Sequence, residues 1–255
     1  MTETKDLVIK IDSISVKYES KTVLENINWE VKKGQMAAII GPNGGGKSTL
    51  LKSLVGIVHP FSGKILMFDK SPEKARPMVS YLPQTEEIDW QFPISVLDVV
   101  IQGRLVHKKV WQRSTKLDRE KAYEALVSVG IEDLASKQIA TLSGGQKQRT
   151  FLARAIAQEA SLIILDEPAT GLDALAQHEL LELFIKLRNQ GRTLVITTHD
   201  LNCLAENFDV VLALDQKVVM QGCPHEVLKS DILTRLFSKH FPTISSSGEV
   251  TIHEH

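Results

Sequence analysis

The segment Gly41-Pro-Asn-Gly-Gly-Gly-Lys47-Ser48 decides the fold of this chain. It fits the pattern G-x-x-x-x-G-K-[ST] of a phosphate-binding loop. An apolar run at residues 36–40 precedes it, and residues 48–56 follow it with helical spacing. A glycine-rich turn with an incidental lysine would rarely have both neighbours, because the pattern is meaningful only between a strand and a helix. We therefore predict a strand, a phosphate-binding loop and a helix of an α/β fold.

The loop has the residue types that bind a nucleotide. Glycines let backbone N–H groups turn toward phosphates, and the helix N-terminus adds partial positive charge. Lys47 is expected to reach the β- and γ-phosphates, and the Ser48 hydroxyl can bind Mg²⁺, so the expected cofactors are ATP and Mg²⁺. The predicted nucleotide-binding residues of this phosphate loop are Gly41, Pro42, Asn43, Gly44, Gly45, Gly46, Lys47, Ser48 and Thr49.

Two carboxylates follow a second apolar run, in Leu162-Ile-Ile-Leu-Asp166-Glu167. Parallel sheets bind ligands beyond the carboxyl ends of their strands, so both acids are expected near the phosphates. We predict that Asp166 binds Mg²⁺ and that Glu167 is the general base that polarises the attacking water. Taken alone, the segment could equally be a strand that ends in solvated acids before Pro168, but the phosphate loop disfavours that alternative.

A histidine follows a third apolar run, at residues 193–197. His199 should emerge at the same sheet edge as Glu167, where it could sense the γ-phosphate or position water without being the base. A lone histidine is more often structural, so this prediction depends on its position at the end of a parallel strand.

A second segment has the residue types of an anion site. Ser143, Gly144, Gly145 and Gln146 open a helical stretch, and a helix N-terminus attracts anions. The phosphate loop already provides for one nucleotide. The second segment therefore needs another nucleotide or another copy of the chain.

The remaining pattern predicts the organisation of the chain. Residues 7–31 alternate as antiparallel strands do, and residues 162–197 form a βαβ unit, which implies a parallel sheet. The segment from about 93 to 157 is mostly helical in pattern. We predict one domain over residues 1–240, with a helical subdomain at about 93–157, followed by a polar tail at 241–255.

Composition and charge exclude several classes of protein. Lys and Arg total 30 against 31 for Asp and Glu, so no global positive field is available for a nucleic-acid partner. Two cysteines are too few for a disulfide scaffold. We do not expect the charged N-terminus to be a signal peptide, and no apolar run approaches the roughly 18 residues of a membrane span. The basic run at residues 104–121 is expected to be a solvated helix face, with contact to a partner or lipid head groups as the alternative.

These motifs together resemble the ATPase subunit of ATP-binding-cassette (ABC) transporters over residues 7–240. The resemblance rests on four features: the phosphate loop, the signature segment Leu142-Ser-Gly-Gly-Gln146, His199, and the strand that precedes Asp166. It implies a P-loop fold with a RecA-like parallel-sheet core, an antiparallel β subdomain and an α-helical subdomain.

The resemblance also assigns three further residues. It implies that Tyr18 stacks on adenine, although a lone strand tyrosine more often packs in a core. It implies that Gln84 joins Mg²⁺ to the transmembrane partner and that Asp173 lies in the D-loop Gly171-Leu172-Asp173. Gly45 departs from the family pattern, which commonly has Ala or Ser there.

The assembly that the resemblance implies is a head-to-tail homodimer. ATP would lie between the phosphate loop of one subunit and Ser143 to Gln146 of the other, and ATP binding and hydrolysis would switch transmembrane permease subunits near Gln84. The subunit would then be peripheral, at the cytoplasmic face of the cell membrane.

The segment Gln84-Thr-Glu-Glu-Ile-Asp-Trp90-Gln-Phe-Pro93-Ile is similar to one in importers of manganese, zinc or iron that use an extracytoplasmic binding protein. The expected function is the ATPase motor of such a metal importer. Importers of heme, siderophores or other small solutes remain the alternative. A soluble ABC ATPase acting on ribosomes or DNA is disfavoured by the single cassette and the near-neutral charge.

Overall fold

The computed structural model describes residues 6–84, 88–109, 112–199, 204–228, 243–244 and 250–251. The strands are β1 (Leu7–Tyr18), β2 (Lys21–Lys32), β3 (Met36–Ile40), β4 (Ser62–Met67), β5 (Val79–Leu82), β6 (Leu162–Leu165), β7 (Thr193–Thr197), β8 (Val210–Asp215), β9 (Lys217–Gly222), β10 (Thr243–Ile244) and β11 (Val250–Thr251). The α-helices are α1 (Lys47–Leu54), α2 (Pro72–Ala75), α3 (Val96–Gln102), α4 (Lys116–Ser128), α5 (Gly144–Ala157), α6 (Ala174–Asn189), α7 (Leu204–Asn207) and α8 (Pro224–Leu228).

Two sheets form the body of the fold. The larger has the strand order β5-β6-β7-β3-β8-β9, in which every neighbouring pair is parallel except β8 and β9. The smaller is antiparallel, with the order β2-β1-β4. The predicted βαβ unit and the antiparallel strands near the N-terminus are therefore confirmed, and β8 and β9 form an antiparallel hairpin.

Strand β3 shows how the parallel sheet is buried on both faces. All five of its residues are buried, and they alternate between two hydrophobic cores. Ala37 and Ile39 pack with helix α1 and the antiparallel sheet, whereas Ala38 and Ile40 pack with helices α3, α5 and α6. Since both faces are covered, the open place for a ligand is the edge where the strands end.

The basic run at residues 104–121 is only partly the expected solvated face. Arg104 and Lys108 have side chains only 12% and 14% exposed, and both pair with the buried Asp118. Burial alone would raise the pKa of Asp118, but hydrogen bonds from Lys108 and from Thr115 hold that pKa well below its usual range. Lys116, with a side chain 94% exposed, does lie on a solvated face. The expectation is wrong at Arg104 and Lys108 because a buried carboxylate draws both cations inward.

The tail predicted at residues 241–255 lies outside the described residues except for β10 and β11, which pair with each other. In the part of the chain that the structure describes, no helix combines the length and the apolar character needed to cross a membrane.

A close backbone approach between Gly103, directly after α3, and helix α5 provides a test of this packing. A Cβ added at Gly103 would lie 2.3 Å from the carbonyl oxygen of Arg154, so Gly103→Ala must push the backbones apart. We expect the free energy of unfolding to fall by about 1–3 kcal/mol, which would lower the melting temperature by roughly 3–10 °C. Gly145→Ala is the matched control, because its Cβ would meet only the Ala176 Cβ at an ordinary 3.7 Å. Equal melting temperatures for the two variants would contradict the packing described here.

Candidate active site

The phosphate loop, the two predicted carboxylates and His199 meet at one edge of the larger sheet. Strands β6, β7 and β3 are neighbours and parallel, and their registers pair Leu165 with Ile196 and Ile39 with Thr197. The segments that follow these strands therefore leave the sheet side by side. They carry the phosphate loop, the two carboxylates and His199, as the sequence predicted.

The phosphate loop folds around the side chain of Lys47. This side chain is buried, and its Nζ donates hydrogen bonds to the carbonyl oxygens of Gly41 and Pro42, both at 3.0 Å. The carbonyl of Gly45 accepts a hydrogen bond at 2.9 Å from the N–H of Gln216, in the turn between β8 and β9. The loop is thus tied to the sheet on one side and closed around an ammonium group on the other.

Gly45, where the sequence departs from the family pattern, is closely packed. An added Cβ would lie 3.0 Å from the carbonyl oxygens of both Leu214 and Pro42. Such contacts are tight enough to require a small shift of the loop. The glycine therefore suits the way this loop rests on β8.

A cavity of about 440 Å³ opens above the loop, and we call it the loop cavity. It brings together the phosphate loop, the predicted Mg²⁺ contact Gln84 and the predicted base Glu167. Its lining residues are Val23, Asn43, Gly44, Gly46, Lys47, Ser48, Thr49, Gln84 and Glu167. A cation, a hydroxyl, an amide and a carboxylate thus converge where a polyphosphate would lie on a helix N-terminus.

The electrostatics of the loop cavity depend on one buried cation. Burial lowers the pKa of Lys47, and the negative charges of Glu167 and Asp166 oppose that shift. Lys47 Nζ lies 4.0 Å from Glu167 Oε1. The ammonium is thereby held between the loop carbonyls and the acids at the sheet edge, in the position from which it could contact an entering phosphate.

The Asp166 carboxylate and the Glu167 backbone are joined by a residue that the sequence analysis did not single out, Thr197. Its hydroxyl donates a hydrogen bond to Asp166 Oδ1 at 2.7 Å, and it accepts one at 2.7 Å from the backbone N–H of Glu167. Both Asp166 and Thr197 are buried. The only signal in the sequence was the place of Thr197 at the end of a buried strand, two residues before His199.

Glu167 and His199 contact each other directly. His199 Nε2 lies 2.6 Å from Glu167 Oε1, and the hydroxyl of Thr170 donates to Glu167 Oε2 at 3.3 Å. His199 lines a separate cavity of about 530 Å³, between α6 and the ends of β6 and β7, rather than the loop cavity. The structure therefore places His199 next to the predicted base, at the same oxygen atom that lies 4.0 Å from Lys47 Nζ.

The oxygen atoms around the loop cavity fit a magnesium ion that arrives with a nucleotide. Ser48 and Gln84 line the cavity, and Asp166 lies beside Glu167. Hydroxyl, amide and carboxylate oxygens are the hard donors that Mg²⁺ binds together with substrate phosphates. Among the described residues, no group of three His, Cys, Asp or Glu side chains could hold a metal ion alone. The ion would thus need phosphate oxygens as well.

The signature residues and Asp173 lie apart from the loop cavity. Ser143 and Gln146 form a capping box, in which the Ser143 N–H donates to Gln146 Oε1 at 3.0 Å and the Gln146 N–H donates to Ser143 Oγ at 3.4 Å. Asp173 caps helix α6 by accepting a hydrogen bond from the Ala176 N–H at 2.8 Å. None of residues 143–146 lines the loop cavity. One copy of the chain therefore does not bring its two anion-binding segments together.

Tyr18 ends strand β1 and is 47% exposed. It is not a core residue, so the common structural role of a strand tyrosine does not apply here. It is also not among the residues that line the loop cavity. Its ring is accessible at the surface.

Known proteins are similar to this chain over most of its length. The family described as "ABC transporter" matches residues 24–170, more than half of the chain. The chain is 39% identical over 245 residues to the manganese transport system ATP-binding protein MntB of Halalkalibacterium halodurans, covering 96% of this chain and 98% of the relative. It is 38% identical over 229 residues to the zinc transport system ATP-binding protein TroB of Treponema pallidum, covering 90% of this chain and 86% of the relative.

A solved structure shows the same fold. The dimeric post-hydrolysis state of the ATP-binding cassette MJ0796, bound to ADP and Pi, is similar with a TM-score of 0.74 and 27% identity, covering 85% of this chain and 98% of that one. With the matched family and the near full-length relatives, this similarity shows that the chain belongs to the ABC transporter family as one of its ATPase subunits.

Proposed function

We propose that this chain is the ATP-hydrolysing motor of a bacterial importer of divalent metal, manganese or zinc. The observation that carries the motor role is the loop cavity, where Lys47, Ser48, Gln84 and Glu167 converge. The metal is supported by near full-length relatives that are named as manganese and zinc transport subunits. Iron is a further candidate substrate, because the segment that begins at Gln84 is similar to one in importers of manganese, zinc or iron.

The residues in and beside the loop cavity have separate chemical roles. Backbone N–H groups of the phosphate loop and Lys47 hold the β- and γ-phosphates. Ser48, Gln84 and Asp166 would hold Mg²⁺. When bound, this ion would neutralise negative charge on the phosphates. Glu167 accepts the proton of the attacking water, and His199 orients its carboxylate through the 2.6 Å contact.

The site is completed by a second copy of the chain. Residues 143–146 present a helix N-terminus that does not reach the loop cavity of its own chain, and the similar cassette MJ0796 is dimeric. In a head-to-tail homodimer the signature residues of one copy would contact the nucleotide of the other, with Asp173 at the same interface. The exposed ring of Tyr18 would stack on adenine.

The permease subunits would contact the surface next to Gln84. Trp90 packs edge-on against Phe151 of helix α5 with ring centroids 5.5 Å apart, and Phe92 is exposed. A contact here would respond both to Gln84 in the cavity and to helix α5, which begins with the signature residues. The subunit would then lie peripherally at the cytoplasmic face of the membrane, and an extracytoplasmic binding protein would deliver the metal.

The substrate is tested by isotope uptake. A strain that lacks this chain should lose most of its uptake of ⁵⁴Mn²⁺ or ⁶⁵Zn²⁺ and grow poorly when metal is limiting. The wild-type gene should restore uptake, and Lys47→Ala should not. Unchanged uptake of both ions, together with lost uptake of heme or a ferric chelate, would move the assignment to the alternative class of importer.

A further inference from the structure

We infer that Thr197 is a positioning residue that holds both acids of the site through one hydroxyl group. The inference rests on the proposed function and adds a residue to it. Thr197 is the last residue of β7, and Asp166 directly follows β6. Since Leu165 pairs with Ile196 in the parallel register, the next two residues, Asp166 and Thr197, are side by side.

The directions of the two hydrogen bonds are fixed by chemistry. The backbone N–H of Glu167 can only donate, so it uses an acceptor lone pair of the Thr197 oxygen. The single hydroxyl proton is then available for Asp166 Oδ1, at 2.7 Å. This hydrogen bond holds the Asp166 carboxylate, the proposed Mg²⁺ contact, in one orientation.

The same hydroxyl also supports the unusual backbone of Glu167. Its φ angle is 50°, in the left-handed region that is costly for a residue with a side chain. The bond from its N–H to Thr197 is a contact that offsets this cost. Thr197 therefore acts on the backbone of Glu167, whereas His199 acts on its side chain.

The two hydrogen bonds of the Thr197 hydroxyl form a bridge between Asp166 and Glu167, and burial makes this bridge rigid. Thr197 is 0% exposed and Asp166 is 1% exposed, so water does not readily replace the lost partners. Threonine is branched at Cβ and has few χ1 rotamers, which fixes where its oxygen lies. Loss of the hydroxyl should remove one contact that orients the Asp166 carboxylate and let the Glu167 backbone relax.

The test compares Thr197→Val with two matched variants of the full-length chain. Thr197→Ser keeps a hydroxyl at the same place. Thr193→Val removes a buried hydroxyl from the other end of β7, where it accepts a hydrogen bond from the Gly34 N–H at 3.0 Å. The measurements are ATP turnover, nucleotide affinity with Mg²⁺ and with EDTA, and melting temperature.

We expect Thr197→Val to lose about tenfold or more in turnover and in the Mg²⁺-dependent part of nucleotide affinity, with affinity in EDTA unchanged. Thr197→Ser should stay close to wild type. Thr193→Val should lower the melting temperature but leave turnover and Mg²⁺ dependence unchanged. Equal effects of the two valine variants, or a serine variant no better than valine, would overturn the inference. A wild-type chain that does not hydrolyse ATP even with its permease would overturn the proposed function itself, and the inference with it.

Discussion

Glu167→Gln is expected to lower ATP turnover by about 10²- to 10⁴-fold while leaving ATP binding intact, because a general base contributes rate enhancements of that size. Glutamine keeps the shape of the side chain and removes its ability to take a proton. Lys47 and the loop N–H groups remain in place to hold the phosphates. The variant should therefore accumulate as an ATP-bound dimer, which size-exclusion chromatography with ATP and Mg²⁺ would detect.

Two further variants separate the role of Glu167 from a general loss of negative charge. Asp166→Asn should instead weaken Mg²⁺-ATP binding, because the carboxylate beside Thr197 is the proposed metal contact. Glu182→Gln, on the exposed surface of α6, is the neutral control and should behave as wild type. A Glu167→Gln protein that stays monomeric and retains wild-type turnover would refute the assignment of the base.

The parts of the fold predicted from sequence are those whose signals are local. The phosphate loop has a fixed pattern between a buried strand and a helix, and the structure places it between β3 and α1. The meeting of Glu167 and His199 followed from a topological rule, because parallel strands end at a common edge. The prediction needed only the strand ends, and the 2.6 Å contact confirms that both residues lie there.

The residues that the sequence did not reveal depend on contacts between distant segments. A threonine at the end of a buried strand is typical of any β-sheet, so the bridge made by Thr197 appears only once β6 and β7 are in register. Likewise, the basic run at 104–121 resembles a solvated surface until Asp118 is buried beside Arg104 and Lys108. Side-chain hydrogen bonds across strands and helices leave no periodic trace in sequence.

A second large effect on ATPase activity is expected from the pairing of two copies of the chain. Lys47→Ala removes the cation of the loop cavity, and Ser143→Arg places bulk and charge in the signature segment. Each variant alone should be nearly inactive, since both composite sites of its homodimer contain the defect. In a mixed dimer of the two variants, one site contains both defects and the other contains neither.

Mixing these two variants in equal amounts tests most directly the central claim that each ATP site is shared between two copies. Random pairing makes half of the dimers mixed, each with one intact site, so ATPase activity should return to at most about a quarter of the wild-type value. Differently tagged subunits would show how many mixed dimers form, and each variant mixed with itself sets the background. Mixed dimers that form but hydrolyse ATP no faster than either variant alone would contradict the shared site.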